Sequence, residues 1–194
     1  MAAPATDEEA ARALLAALQK RYFDATHHCS AWRLRGGLWR ANDAGEPSGS
    51  AGAPILAAGD TRGLTDFVIV VTRYFGGTKL GVGGLVRAYG EAAAAALDAA
   101  PLRRGIPAEQ VVVRYPYAHT AAVMRSLDLA GAAAMEHGFA ADTAGGEISA
   151  VVPTANLGDL ETRLKEQTSG EVAPDRAGSA ILYHPVAAAA PESA

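Results

Sequence analysis

The chain has 194 residues, a hydrophobic share of 49% and a formal net charge of −4, enough apolar material for one large domain or two small ones. The charge argues against nucleic-acid binding over the whole surface, and the single Cys29 excludes an internal disulfide and fits a reducing, cytoplasmic compartment. Met1 is followed by alanines and acids without a basic leader region, and no apolar run is long enough to span a bilayer, so no membrane association is expected.

Charge is unevenly spread. Residues 1–107 carry 12 basic and 10 acidic side chains, whereas 108–194 carry 5 and 11. A polyanion contact is therefore expected as a local patch on the first part.

Thr6-Asp7-Glu8-Glu9 reads as a capping box. Ala11, Leu14, Leu15, Leu18 and Tyr22 then mark an amphipathic helix. Residues 26–35 read as a strand, with His27, Cys29 and Ala31 on one face and His28, Ser30, Trp32 and Leu34 on the other. His27 and Cys29 invite a metal reading. Zinc normally takes at least three protein ligands, and no second His or Cys completes the set on that face, so no metal is expected. Gly36-Gly37 forms a turn before Leu38-Trp39-Arg40. The stretch 41–54, ANDAGEPSGSAGAP, reads as a loop. Asp43 and Glu46 form a candidate carboxylate pair, and Ser48 or Ser50 a candidate nucleophile, although the serines lack the GxSxG elbow. Two readings stand for this loop. One is a hydrolase or small-molecule enzyme using His27, His28, Asp43 and Glu46. The other is a hydrogen-bonded loop in which Asp43 and Ser48 fix turns. A short helix over 53–58 ends at Gly59.

The most informative stretch is 65–100. Phe67 to Val71 is an unbroken apolar run suited to a strand covered on both faces. Gly76, Gly77, Gly81, Gly83 and Gly84 follow, and Leu85, Ala88, Tyr89, Ala92, Ala93, Ala96 and Leu97 lay one stripe along a helix over 85–100. A glycine turn opening onto a helix start presents amide N–H groups to an anion, and Arg73, Lys79 and Arg87 flank it. Neither standard nucleotide cradle fits. Val82 stands where a Walker loop needs Lys after Gly81, and Val86 where the dinucleotide fingerprint needs its third glycine. A purely structural reading also stands, with glycines for a tight turn and Arg87 and Glu91 as a solvated i, i+4 pair.

Pro101 to Pro107 reads as an irregular linker, which places the domain boundary near 107. Beyond it, strands are expected over 109–117, 133–139, 147–152 and 179–183, with a turn at Gly145-Gly146. Helices are expected over 120–129 and from Thr154 through Leu157, Leu160 and Leu164. The order βαββαβ is the ferredoxin-like pattern. Tyr115 and Tyr117 could stack on bases, but the glycine-aromatic RNA motif is missing, so core or interface tyrosines are the better reading. Residues 186–194 are expected to be disordered.

Three blocks in order, DATHHCSAW (24–32), DAGEPSGSAG (43–52) and VIVVTRYFGGTKLGVGGLVRAYG (68–90), resemble the signature of the IMPACT/YigZ family, and the likeness spans roughly 4–185. The resemblance implies an α+β protein. Its N-terminal α/β two-layer domain (1–107) would be of ribosomal-protein-type βαβ fold and similar to domain four of elongation factor G. A C-terminal ferredoxin-like domain (108–185) would be similar to another elongation-factor module. It also implies a link to translation, because eukaryotic members regulate translation during amino-acid starvation. It implies no catalytic residue and no cofactor. Family members carry a strand with a Ser-Arg/Lys-Phe motif before the first helix. Here the chain begins almost at that helix, so the strand is expected to be absent or the start set too late, with the second favoured. The resulting expectation is a non-enzymatic binding module. Arg73, Gly76, Gly77, Lys79, Gly81, Gly83, Gly84 and Arg87 would contact RNA phosphate or an acidic protein surface. The partners would be the ribosome, structured RNA or a protein of the translation machinery.

Overall fold

A computed structural model describes residues 1–140 and 145–186. The chain divides into two compact units, Met1–Ala100 and Pro101–Ala194. Among the described residues no helix is long and apolar enough to cross a membrane.

The first unit runs β1 (Ala2–Pro4), α1 (Glu8–Arg21), β2 (His27–Arg33), β3 (Trp39–Asn42), α2 (Gly52–Asp60), β4 (Phe67–Arg73) and α3 (Gly81–Asp98). The four strands form one antiparallel sheet in the order β1-β4-β2-β3. Successive strand side chains point to opposite faces. Phe67, Ile69 and Val71 therefore meet Ile55 and Leu56 of α2 and Leu85, Tyr89, Ala93 and Leu97 of α3. Val68 and Val70 meet Ala11 and Leu18 of α1, together with Trp32 and Leu34. Helices on both faces explain why β4 is apolar without interruption. They also correct the expected two-layer arrangement, because the sheet is the middle of three layers.

Three local expectations change. A first strand exists: Ala2, Ala3 and Pro4 pair with Ile69, Val68 and Phe67. Ala-Ala-Pro carries no strand signal, and Pro4 is tolerated because β1 is an edge strand. The cap of α1 is Asp7 rather than Thr6, its carboxylate accepting from the Ala10 N–H at 2.8 Å. The helix α3 begins at Gly81, four residues before the expected start, because glycines of low helix propensity are carried into its first turn by the stripe beyond them. As expected, Gly36 and Gly37, both at positive φ, turn the chain from β2 into β3.

The second unit runs β5 (Arg103–Pro116), α4 (Thr120–Leu129), β6 (Ala133–Ala140), β7 (Gly145–Pro153), α5 (Leu157–Gln167) and β8 (Pro174–Pro185). This is the βαββαβ order, and the antiparallel strands lie as β6-β7-β5-β8. Val111, Val113, Tyr115, Ile148, Ala150 and Val152 from one sheet face pack on Val123, Leu127, Leu157, Leu160 and Leu164 of the two helices. Tyr115 thus belongs to the core, while Tyr117 is exposed.

The stretch read as a linker instead opens β5. Arg103 to Pro107 pair with Pro185 to Ile181. Pairing with β7 starts only at Ala108, so Pro107 sits where the other edge is unpaired and needs no N–H there. Gly145 and Gly146 lie within β7, not in a turn, and 141–144 lie outside the described residues. Of the tail, Val186 donates its N–H to the Leu102 carbonyl at 3.0 Å, and 187–194 lie outside the described residues.

Candidate binding site at the glycine-rich turn

Strand β4 delivers Tyr74 and Phe75 to a turn that ends at Gly81, the first residue of α3. Gly77 and Gly81 adopt φ of 86° and 69°, a region in which a Cβ is strained. A Cβ added at Gly76, Gly77, Gly81 or Gly83 would meet nothing within 4 Å, whereas one at Gly84 would lie 3.0 Å from the Leu80 Cβ. Four of the five glycines therefore serve no internal packing and leave the backbone open to an approaching molecule.

Helix α3 starts without a side-chain cap and without an acidic residue in its first turn. Its leading N–H groups and the positive end of its dipole therefore have no capping side chain and no acid in the first turn to answer them. Lys79 and Arg87 are exposed, and among the described residues neither side chain has a hydrogen-bond or ion-pair partner. The i, i+4 pair of Arg87 with Glu91 does not form. Around these cations, Tyr74, Phe75, Leu80, Val82 and Val86 all expose large apolar surface.

Arg73 departs from this picture. Its Nη1 donates to Glu46 Oε1 at 2.6 Å, and its side chain is largely covered. The guanidinium also lies 5.7 Å from the centre of the Phe75 ring. It is a structural cation that neutralises Glu46, not a third outward charge beside Lys79 and Arg87.

Glu46 is the hub on the other side of this arginine. The same Oε1 accepts the Tyr89 hydroxyl at 2.7 Å and lies 3.8 Å from His27 Nε2. One carboxylate thus ties the 43–51 loop to β4, α3 and β2. Burial pushes its pKa up, but the hydrogen bonds from Tyr89 and Arg73 and the nearby His27 and Arg73 outweigh that, so it falls below the ordinary value of 4.5. Burial and the bonds to Cys29 and Glu46 push the Tyr89 hydroxyl up. Burial also pushes the Cys29 thiol up to about 11, which makes it an inert core group.

The remaining candidates are taken up in holding the loop. Asp43 Oδ1 accepts from the N–H groups of Ala51 (3.0 Å) and Gly52 (2.8 Å) at the start of α2, and Oδ2 accepts from Gly49 (2.8 Å). Those three bonds overcome the effect of burial and lower its pKa. The Asp43 carbonyl accepts from the Cys29 thiol at 3.0 Å. His27 Nδ1 sits 2.9 Å from the Ala44 carbonyl, to which it donates when protonated there. Ser50 is buried, and its hydroxyl donates to the Pro47 carbonyl at 2.6 Å, while Ser48 is exposed. His28 points to the other face of the sheet, paired across to Thr72, and its Nε2 has no partner. The grouping of His27, His28, Asp43 and Glu46 that hydrolytic chemistry would need does not assemble. Adjacent residues of one strand cannot share a face, and among the described residues no histidine is hydrogen-bonded to a serine. The sequence places Tyr89 only in an apolar stripe; the signal that could have found its role is the hydroxyl, which needs a partner when buried and finds it in Glu46.

Replacing Gly83 by alanine separates the two roles of these glycines. The added methyl group enters open space within a helix, so the first unit is expected to gain about 0.5 kcal/mol in urea unfolding, while the methyl group obstructs the surface of the turn. A loss of stability would mean that Gly83 packs internally.

Taken together, these features describe an α+β protein of two units in which the turn before α3 exposes large apolar side chains beside two cations that have no partner among the described residues. Residues 1–97 match the family model for the Impact N-terminal domain, and the chain belongs to the IMPACT family. It is 50% identical over 116 residues to an IMPACT family member in the pol 5' region of Thermus thermophilus, covering 60% of this chain and 63% of that protein. It is 46% identical over 93 residues to the Bacillus subtilis IMPACT family member YvyE (47% and 43%) and 38% identical over 114 residues to Escherichia coli YigZ (56% and 55%). The chain thus spans between 43% and 63% of these relatives' lengths. A crystal structure titled as that of a hypothetical protein superposes with a TM-score of 0.62 at 28% identity, covering 90% of this chain and 85% of the other.

Proposed function

We propose that the protein is a non-enzymatic, translation-linked binding module that contacts RNA phosphate, on the ribosome, through the turn and first helical turn at 76–87. The observation that carries this reading is the pairing of an uncapped α3 start with two cations, Lys79 and Arg87, that have no partner within the described residues. Several other arginines of the first unit are held by acids: Arg33 by Asp60, Arg62 by Asp98, Arg73 by Glu46. Leaving two cations unpaired beside exposed amides makes a patch suited to phosphate. Membership of the IMPACT family supports the link to translation.

The test is charge reversal. Lys79→Glu together with Arg87→Glu is expected to abolish binding to a structured ribosomal RNA fragment and to leave the unfolding midpoint within the error of the wild type, because both side chains are exposed and neither has a hydrogen-bond or ion-pair partner among the described residues. Undiminished RNA binding by the double variant would contradict the reading. Binding to an acidic protein in place of RNA would assign the same patch to a protein partner.

A further inference from the structure

We infer that Phe75 is a stacking platform for an unpaired nucleobase, so that the turn takes a single-stranded RNA segment in preference to a duplex; this rests on the reading of the turn as an RNA site. Phe75 is 51% exposed, although it lies only two residues beyond β4, an inner strand of the sheet. It is nonetheless held. Its N–H donates to Thr26 Oγ1 at 3.1 Å, and the Arg73 guanidinium lies over the ring, 5.7 Å from its centre, itself anchored on the buried Glu46 carboxylate. A half-exposed aromatic ring held against a fixed cation loses little freedom when something stacks on it. The cation also draws electron density from the ring, which favours the electron-rich face of a purine over solvent.

The surroundings fit the same partner. Lys79 and Arg87 supply phosphate contacts on either side of the α3 start, and Leu80 and Val82 expose apolar surface beside them. A duplex presents phosphates but keeps its base faces stacked. An unpaired nucleotide in a loop or bulge presents a phosphate and a base face together. Of these two RNA forms, only the second uses both the cations and the ring.

The test compares binding of a single strand of about ten adenosines and an RNA duplex of matched length by the wild type, Phe75→Ala and Phe75→Tyr, all at one low salt concentration. The wild type is expected to prefer the single strand. Phe75→Ala is expected to lose about 5- to 100-fold for the single strand and to leave duplex binding unchanged, whereas Phe75→Tyr, which keeps the ring, retains the affinity. Thermal unfolding of each variant checks that the fold is unchanged. If Phe75→Ala binds both RNAs as the wild type does, or loses both equally, the stacking role is overturned while the phosphate reading stands. If the wild type binds neither RNA nor ribosomes at low salt, the reading beneath it fails, and the inference with it.

Discussion

Glu46→Ala is expected to cost the first unit about 3 kcal/mol of stability, because it leaves the largely covered Arg73 guanidinium and the Tyr89 hydroxyl without their acceptor. Both tryptophans, Trp32 and Trp39, lie in the first unit, so urea unfolding followed by tryptophan fluorescence reads this unit alone. Glu46→Gln keeps an oxygen for Tyr89 and is expected to lose less. The two variants also differ from the wild type in pH dependence. The folded chain holds Glu46 below its ordinary value of 4.5, so the unfolded chain takes up the proton first. The stabilisation is complete above that value and is lost as pH falls through the folded pKa. Glu46→Gln is expected to flatten this acid slope, leaving the part that Asp43, shifted in the same direction, contributes. An unchanged slope would remove Glu46 from the centre of the network.

The second large effect is expected at Gly52. A Cβ there would lie 2.5 Å from the Asn42 backbone nitrogen and 3.0 Å from the backbone carbonyl carbons of Ala41 and Asn42, and backbone within a paired strand cannot move aside. Overpacking of this kind costs about 3 kcal/mol, and the better helix propensity of alanine returns at most about 1 kcal/mol. Gly52→Ala should therefore lose about 2 kcal/mol in the same unfolding measurement, opposite in sign to Gly83→Ala. The two helical glycines differ: Gly52 is required by the close approach of β3 to α2, whereas a Cβ at Gly83 would meet nothing within 4 Å.

Much of this architecture could be read from the residues. Phe67 to Val71, the stripe from Leu85 to Leu97 and the alternating order of the second unit carry periodic signals strong enough to define β4, α3 and the βαββαβ unit. What could not be read has physical causes. Ala2 to Pro4 form a strand only because β4 offers an edge. Arg103 to Pro107 hold two breaker types that the end of a sheet tolerates. Arg73 looked equivalent to Lys79 and Arg87 because the acid that claims it is 27 residues away in sequence. His27 and Asp43 looked catalytic because carboxylates and imidazoles that brace a loop are chemically the same as those that move protons. Only partners and distances tell them apart.

The central claim, that the turn before α3 reads phosphate on the ribosome, is tested most directly by co-sedimentation with purified ribosomes across a salt series. The wild type should bind saturably, with log affinity falling linearly against log salt. The Lys79→Glu, Arg87→Glu variant should show no saturable binding even at low salt, and single replacements of Lys79 or Arg87 by alanine should each lower the slope by about 0.7 to 0.9. Saturable binding that ignores salt, or that survives the double reversal, would contradict the account.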